Sequence, residues 1–194
     1  MFLLDATQGT QLDTERLLLR PTRRTDLSQL HEAIQSTLPE LVRWLPWARL
    51  THDKRDSRQY LRHARATWTR RAAFEYVLEA RSTHTLVGMA SVHRIDWYRR
   101  CAGLGYWIRK EMWGQGFATE AGAALVERAL LVWELHRIEA HIATDNHASQ
   151  RVIEKLGFQR EGVARQIEFV NGRYLDHVQY SLLRGDFLEP EPPE

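Results

Sequence analysis

The chain has 194 residues, of which 27 are basic and 25 acidic, and its formal net charge is +2. This length suits one domain whose core needs no disulfide or metal, and a single cysteine, Cys101, excludes a disulfide within the chain. The balanced charge argues against a nucleic-acid-binding protein. The start lacks the basic flank and apolar core of a signal peptide, and no apolar run reaches the roughly 18 residues of a membrane span. We therefore predict a soluble cytoplasmic protein with neither nucleic-acid nor membrane partners.

Periodicity and turn signals divide the chain into seven strands and four helices, without an internal repeat or a linker. In chain order we predict a strand over 16–20, a helix capped by Thr25 or Asp26 with apolar residues through Leu38, a loop over 41–50, a helix over 53–71, strands over 74–80, 86–95 and 103–108, a helix over 118–133, a strand over 137–143, a helix over 147–156, and strands over 163–170 and 174–183. Gly157 suits the position just after the last helix, and Asn171 followed by Gly172 is a strong hairpin signal. This order predicts a single α/β domain with a mixed central sheet and helices packed on it. Its core is expected over residues 13–183, between a frayed N-terminus and an acidic, proline-rich tail.

Basic residues are concentrated in the second predicted helix. From Lys54 to Arg71 there are seven lysines and arginines and one acid, Asp56. A solvated helix face is the usual cause of such a run, and electrostatic steering of an anionic coenzyme or an acidic partner is the alternative.

The most informative segment runs from Tyr106 to Ala121, where a strand, a glycine loop and a helix follow one another. Gly114 and Gly116 let the main chain approach a ligand closely. The alanine-rich helix that follows leaves its first N–H groups without intrahelical partners, and these carry about half a positive charge. The segment therefore predicts an anion site made by the backbone.

Four interpretations of this loop compete. A P-loop needs Lys after its last glycine, but Phe117 follows Gly116. A Rossmann fingerprint needs a third glycine where Thr119 stands, and it usually lies near the start of a domain. A coenzyme A loop, with the consensus Q/R-x-x-G-x-G/A, is matched by Gly116, Phe117 and Ala118 but has Trp113 at its first position. A plain strand-to-helix turn would need the glycines only for its geometry.

Three other segments resemble the family in which that coenzyme A loop occurs. They are the opening Leu12-Asp-Thr-Glu-Arg-Leu-Leu-Leu-Arg-Pro21, the stretch Asn146-His-Ala-Ser-Gln-Arg-Val-Ile-Glu-Lys-Leu-Gly-Phe158, and Glu161-Gly162. With the loop, and in this order, they make nearly the whole chain similar to the RimJ/RimL-type branch of the GNAT N-acetyltransferases, in which an aromatic residue often replaces the consensus Arg. The resemblance implies a GNAT fold whose central strands splay apart to admit the pantetheine arm of acetyl-CoA.

The resemblance also implies which residues bind the coenzyme and perform the transfer. The implied coenzyme-binding residues are Trp107, Ile108, Trp113, Gly114, Gln115, Gly116, Phe117, Ala118, Thr119, Asn146 and Ser149. The Ser149 hydroxyl is implied to protonate the coenzyme sulfur while Asn146 helps to hold the pantetheine, and helix capping is the alternative for both residues. Glu168 is implied to deprotonate the amine through water, with an exposed strand carboxylate as the alternative. Glu120 and Glu161 are weaker candidates for this base.

Trp44 and Trp47 lie in the loop that lines the acceptor side in this family. We expect them to form an aromatic wall for a peptide end or a small amine, and core aromatics pinned by Pro46 are the alternative. Cys101 lacks the partners of a catalytic thiol, and the nine histidines show no ligand spacing, so we predict no metal.

The leading hypothesis is an acetyl-CoA-dependent N-acetyltransferase. An α-amine has a pKa near 7.8 and a lysine amine near 10.4, so deprotonating the lysine at neutral pH costs about 3.5 kcal/mol more. This difference favours the α-amine of a protein N-terminus, the group that RimJ and RimL modify on ribosomal proteins. The alternatives are a small-molecule amine acetyltransferase acting on polyamines, amino acids or antibiotics, and a non-catalytic acyl-CoA-binding module. A homodimer is a further expectation from the family.

Overall fold

The computed structural model describes residues 10–189 as one eight-stranded sheet with helices on both faces. The strands are β1 (Leu12–Asp13), β2 (Leu17–Pro21), β3 (Phe74–Ala80), β4 (Leu86–Asp96), β5 (Cys101–Ile108), β6 (Arg137–Ala143), β7 (Gln159–Val170) and β8 (Arg173–Leu183). The helices are α1 (Leu27–Leu41), α2 (Lys54–Thr69), α3 (Phe117–Glu127), α4 (His147–Lys155) and α5 (Arg184–Leu188). The predicted mixed α/β sheet is confirmed, and the short β1 and α5 are additions to it. Residues 1–9 and 190–194, which hold most of the predicted frayed N-terminus and acidic tail, lie outside the described residues.

The sheet has the strand order β1-β2-β3-β4-β5-β6-β8-β7 and separates two hydrophobic cores. Side chains of a strand alternate between the two faces. On β4, Val92 therefore packs with α3 residues such as Leu125, while Met89 packs on the opposite face with Ile34 of α1. Helices α3 and α4 thus lie on one face of the sheet, and α1 and most of α2 lie on the other.

The neighbours β5 and β6 form the parallel pair of this sheet, and they separate after three residue pairs. Cys101, Ala102 and Gly103 pair with residues 137–139, and the β5–β6 ladder ends there. β5 stays paired with β4 up to Ile108, and β6 stays paired with β8 up to Ala143, so the two halves of the sheet diverge. This gap confirms the splay that only the family resemblance implied. Backbone groups along its two edges have no partner in the sheet.

The start of α1 differs from the prediction. The side chain of Asp26 makes no capping bond to α1, although it accepts from the backbone N–H of Arg23 at 2.6 Å in the preceding 3-10 turn Arg24–Asp26, which contains Thr25. The Asp26 carboxylate instead accepts hydrogen bonds from both terminal nitrogens of Arg20, at 3.0 and 2.8 Å. Arg20 also donates from Nε to Glu79 at 2.7 Å, and both Arg20 and Asp26 are buried. Breaking a buried ion pair costs more free energy of folding than leaving a helix without a side-chain cap. The Asp26 carboxylate therefore binds Arg20 and does not cap α1.

Other element bounds shift without changing the architecture. α3 continues as a π-helical turn over Arg128–Val132, so the helix ends near the predicted place in a wider turn. β7 begins four residues before the predicted strand, at Gln159, and its pairing with β8 shifts register twice. None of the helices within residues 10–189 is both long and apolar enough to cross a bilayer.

Candidate active site

The glycine loop joins β5 to α3 through a turn that glycine adopts without strain. Gly114 has a φ of 73° and Gly116 a φ of 83°, in the left-handed region that L-residues rarely adopt. Gly116 is the N-cap residue of α3 and has no side chain to bind the first N–H groups of the helix. Ala118 and Thr119, in that first turn, line a cavity. The donors of the helix N-terminus therefore lie at the edge of a space that an anion can enter.

A cavity of about 610 Å³ extends from this loop into the gap between β5 and β6. The sequence-predicted residues that line it are Trp44, Trp107, Ile108, Trp113, Gly114, Gly116, Phe117, Ala118, Thr119, Asn146 and Ser149. Gln115, Trp47 and Glu168 do not line it. Gln115 turns its amide away and donates to the backbone oxygen of Glu111 at 3.3 Å. The binding roles stay predictions, but the loop offers a ligand its backbone and not the Gln115 side chain.

The opening segment of the chain holds the loop from behind, which the sequence did not reveal. Arg16 donates from Nε to Glu120 at 2.7 Å and from Nη1 to the backbone oxygen of Gln115 at 2.8 Å. Its guanidinium also lies 4.6 Å from the ring centre of Phe117. Glu120 accepts two further bonds, from the Thr14 hydroxyl and from the Arg16 backbone N–H. We call Thr14, Arg16 and Glu120 the loop clamp, because they tie the turn before β2 to the first turn of α3.

Asn146 and Ser149 lie at the start of α4, beside the gap. Asn146 is the N-cap residue, and its Oδ1 accepts from the backbone N–H of Ser149 at 3.2 Å, so capping occurs although both residues line the cavity. Tyr106, on the splayed half of β5, donates from its hydroxyl to the backbone oxygen of Ser149 at 3.1 Å. Burial raises the pKa of Tyr106 well above its usual value, so the hydroxyl stays a neutral donor. This bridge spans the gap and leaves the Ser149 hydroxyl unused.

The loop between α1 and α2, which we predict to lie on the acceptor side, also lines the cavity. Trp44 lines the cavity, with the Arg43 guanidinium 4.9 Å from its ring centre. Trp47, three residues later, packs against Tyr60 and Trp107 with ring centres 5.4 and 6.3 Å apart. The aromatic-wall prediction therefore fits Trp44, whereas the packing of Trp47 fits the core alternative.

The tip of the β7–β8 hairpin holds this loop in place. Asn171 and Gly172 have φ values of 45° and 91° and close the two-residue turn that the sequence predicts. The Asn171 amide donates to the backbone oxygens of Val42 and Ala48 at 2.8 and 2.9 Å. Asn171, which suits the turn by its conformation, thus also holds the loop that carries Trp44.

The three candidate carboxylates have different surroundings. Glu161 accepts two bonds from Arg137, at 2.8 and 2.6 Å, and these are the main cause that lowers its pKa to about 2. Burial raises the pKa of Glu120, but the hydrogen bonds from the loop clamp outweigh burial and lower it overall. Glu168 is half-buried on β7 next to the hairpin tip, and among the described residues its carboxylate is in no ion pair within 4.0 Å. Glu161 and Glu120 are therefore poor bases, and Glu168 stays the predicted one.

Two cations that sequence reasoning missed lie on the cavity face of α4. Arg151 and Lys155 are four residues apart, one helical turn, and both line the cavity. The end of α4 touches α3, because a Cβ on Gly122 would lie 2.6 Å from Leu156 Cδ1. Both cations line the same cavity as Ala118 and Thr119 in the first turn of α3. Free helix donors and two cations around one cavity suit a ligand with several phosphate groups. Among residues 10–189 no group of three His, Cys, Asp or Glu side chains could hold a metal ion.

Comparison with known proteins agrees with this geometry. Residues 16–159 match the family model "Acetyltransferase (GNAT) domain". YdaF of Bacillus subtilis (strain 168) is 42% identical over 103 residues, which are 53% of this chain and 56% of YdaF, so the match spans about half of that relative.

Solved structures extend the match over nearly the whole chain. A crystal structure named "Probable acetyltransferase" has a TM-score of 0.84 at 32% identity and covers 91% of this chain and 98% of its own. RimL, a ribosomal L7/L12 alpha-N-protein acetyltransferase in complex with coenzyme A, has a TM-score of 0.82 at 24% identity, over 88% of this chain and 95% of RimL, and it shows the shared fold. With the family model matching most of its length, the chain belongs to the GNAT acetyltransferase family.

Proposed function

We propose that this GNAT acetyltransferase transfers the acetyl group of acetyl-CoA directly to an α-amine, that of a protein N-terminus. One observation carries the proposal. A single cavity connects the N-terminus of α3, the gap between β5 and β6, and the Trp44 loop on the acceptor side. A donor with phosphates at one end and a thioester at the other can lie along this path, with an amine approaching from the Trp44 end.

The phosphate end would be held by backbone donors and cations together. The free N–H groups of the first turn of α3 suit the diphosphate. Arg151 and Lys155 supply full positive charges in the same cavity. The left-handed glycines of the loop leave room, since nothing lies within 4 Å of a Cβ built on Gly114.

The reaction has three requirements, and this chain offers a group for each. Glu168 would take a proton from the amine through water, because it does not line the cavity itself. The nitrogen then attacks the carbonyl carbon, and backbone N–H groups on the splayed half of β5 are available to the developing oxyanion. As the carbon–sulfur bond breaks, the Ser149 hydroxyl gives its proton to the leaving thiolate, and the second proton that the nitrogen loses after its attack returns to Ser149 through water.

The surroundings favour a peptide over a polyamine as the acceptor. Glu40 lines the cavity near Trp44, but its carboxylate is bound by Lys110 at 2.8 Å and is therefore not free to bind a polycation. Near Glu168 and the hairpin tip, the hairpin exposes three large apolar side chains, Ile167, Phe169 and Tyr174. A small amine makes no use of them, whereas a polypeptide can pack on them. RimL, which shares the fold, is named as an alpha-N-protein acetyltransferase.

Thiol release from acetyl-CoA tests the proposal with matched acceptors. We expect turnover with a short peptide that has a free N-terminus. The same peptide with a blocked N-terminus and an internal lysine should be turned over at least about a hundredfold more slowly, because its amine is harder to deprotonate. Faster turnover with spermidine than with any peptide would favour the small-amine alternative. Tight coenzyme binding without turnover of any amine would favour a non-catalytic binding module.

A further inference from the structure

Positive charge is segregated in this protein. Residues 54–71 and 94–100 contain ten of the 27 basic residues and only two of the 25 acidic ones, so the rest of the chain has 17 basic and 23 acidic residues. The small net charge of the chain is therefore the sum of a strongly basic part and an acidic part. The net charge alone, on which the exclusion of nucleic acid rests, does not reveal this separation.

Four arginines form a continuous stripe along α2. Arg55, Arg58, Arg62 and Arg65 are spaced by three or four residues and are all exposed. The stripe extends over ten residues, about 15 Å of helix. Its members are adjacent like charges, which destabilises a helix. Among the described residues none of the four lies in an ion pair within 4.0 Å, and the nearby Asp56 is used in the capping box of α2.

The turn between β4 and β5 lies against the chain that follows the C-terminal end of α2. The Trp97 indole donates to the backbone oxygen of Arg71 at 2.9 Å, and the Arg71 guanidinium lies 4.6 Å from the Trp97 ring centre. This contact fixes the turn against the end of α2. The next residue, Tyr98, is 96% exposed and is followed by the exposed Arg99. We call the α2 stripe together with Tyr98, Arg99 and Arg100 the arginine surface.

The chemistry of this surface decides its partner. A protein interface has an apolar centre, but α2 exposes no large apolar side chain, and the arginine surface offers only Tyr98. Guanidinium groups bind phosphate oxygens in a bidentate way. An exposed aromatic ring beside them is a stacking platform for an unpaired base. We propose that the arginine surface binds single-stranded RNA, with phosphates along α2 and a base on Tyr98. The proposal is independent of the acetyl-transfer chemistry, because none of these residues lines the cavity.

Fluorescence polarisation with a labelled RNA of about 12 nucleotides and mixed sequence tests this proposal. We expect the logarithm of the binding constant to fall with the logarithm of salt concentration with a slope of about −3, from about 0.7 per phosphate and four arginines. The double variant Arg58→Glu with Arg62→Glu should bind at least about tenfold more weakly. The control carries the same charge change at Arg160→Glu with Arg165→Glu, on the exposed part of β7 at the far edge of the sheet from β3, on which α2 packs. This control should bind within about twofold of the wild type.

Tyr98→Ala separates RNA from an acidic protein. We expect it to weaken RNA binding at least about fivefold, since stacking of one base on an aromatic ring contributes this much or more. Three results would overturn the proposal: no binding at low salt, equal losses in the α2 variant and its β7 control, or competition by poly-glutamate that matches RNA while Tyr98→Ala has no effect. The last result would assign the surface to an acidic protein. Thermal unfolding and coenzyme affinity of each variant should stay at wild-type values.

Discussion

Arg16→Ala tests whether the loop clamp serves coenzyme binding or only the fold. The wild-type guanidinium donates to Glu120 at 2.7 Å and to the backbone oxygen of Gln115 at 2.8 Å. The first bond holds the start of α3, and the second holds the glycine loop itself. The substitution removes both, while Glu120 keeps its bonds from Thr14 and from the Arg16 backbone.

The expected loss of stability follows from the exposure of the pair. A hydrogen bond to a charged group contributes about 1.5–3 kcal/mol, but the Arg16 side chain is 44% exposed and solvent screens the pair. We therefore expect the free energy of unfolding to fall by about 1 to 2 kcal/mol at pH 7. The pKa of Glu120 is lowered in the folded state, so the stabilisation is present above the ordinary carboxyl pKa and is lost as pH falls through the lowered value. The gap between wild type and variant should accordingly shrink below about pH 4.

Coenzyme affinity distinguishes the two roles. Freeing the Gln115 carbonyl lets the loop leave its binding conformation, and we expect about three- to tenfold weaker coenzyme A binding by calorimetry, since about 1 kcal/mol corresponds to fivefold. Arg81→Ala is the matched control, because Arg81 pairs with Asp13 at 2.7 Å near the same strands and is similarly exposed. It reaches the clamp only through a long bond of 3.4 Å to the backbone oxygen of Thr14, and it bonds neither the loop nor α3. Arg81→Ala should lower the free energy of unfolding by less than about 1 kcal/mol and leave the affinity for coenzyme A unchanged. If Arg16→Ala unfolds more easily in urea but binds coenzyme A as tightly as the wild type, the clamp is structural only and the reasoning fails.

Three further substitutions probe the proposed chemistry. Ser149→Ala should lower kcat at least about tenfold while coenzyme A affinity changes by less than about twofold, because a proton donor acts only in the transition state; equal losses in both would make Ser149 a binding residue. Glu168→Gln should remove a limb near neutral pH from the profile of kcat/KM, and an unchanged profile would exclude Glu168 as the base. Gly116→Ala places an L-residue at a φ of 83°, which costs about 1–2 kcal/mol, so stability in urea and coenzyme affinity should both fall. Gly162→Ala, which meets no atom within 4 Å and keeps an ordinary φ, should have less effect, and matching losses in the two glycine variants would refute the strain argument.

The sequence predicted what is encoded locally. The helices, the glycine loop and the Asn171 turn each depend on residues a few positions apart, and the structure has them at nearly the predicted places. Asp26 shows where local reasoning fails. Its position suits an N-cap, but Arg20 is buried beside it and needs a counter-charge, so the carboxylate binds Arg20. Nothing in the spacing reveals that Arg20 is buried, because burial follows from the packing of the whole domain.

The site itself was predictable in its parts but not in its connections. Arg16 and Glu120 are 104 positions apart, and the bond from Tyr106 to the backbone of Ser149 spans 43. The opening segment was linked to the glycine loop only because both resemble one family, and the clamp between Arg16 and Glu120 is the physical reason that they belong together. The gap between β5 and β6 has no sequence signature either, because it depends on where a ladder between two separate strands stops.

The two ends of the cavity are held by independent long-range contacts. The acceptor specificity can therefore change while the coenzyme site stays the same. Arg16 holds the coenzyme end from the turn before β2, whereas Asn171 holds the acceptor end by binding the backbone of the Trp44 loop at Val42 and Ala48. The residues of one contact take no part in the other. Changes in the hairpin or in the Trp44 loop can therefore reshape the acceptor wall without disturbing the phosphate site. A shared coenzyme loop consequently predicts the donor well and the acceptor poorly, and the identity of the acceptor has to be argued from the hairpin side of the cavity.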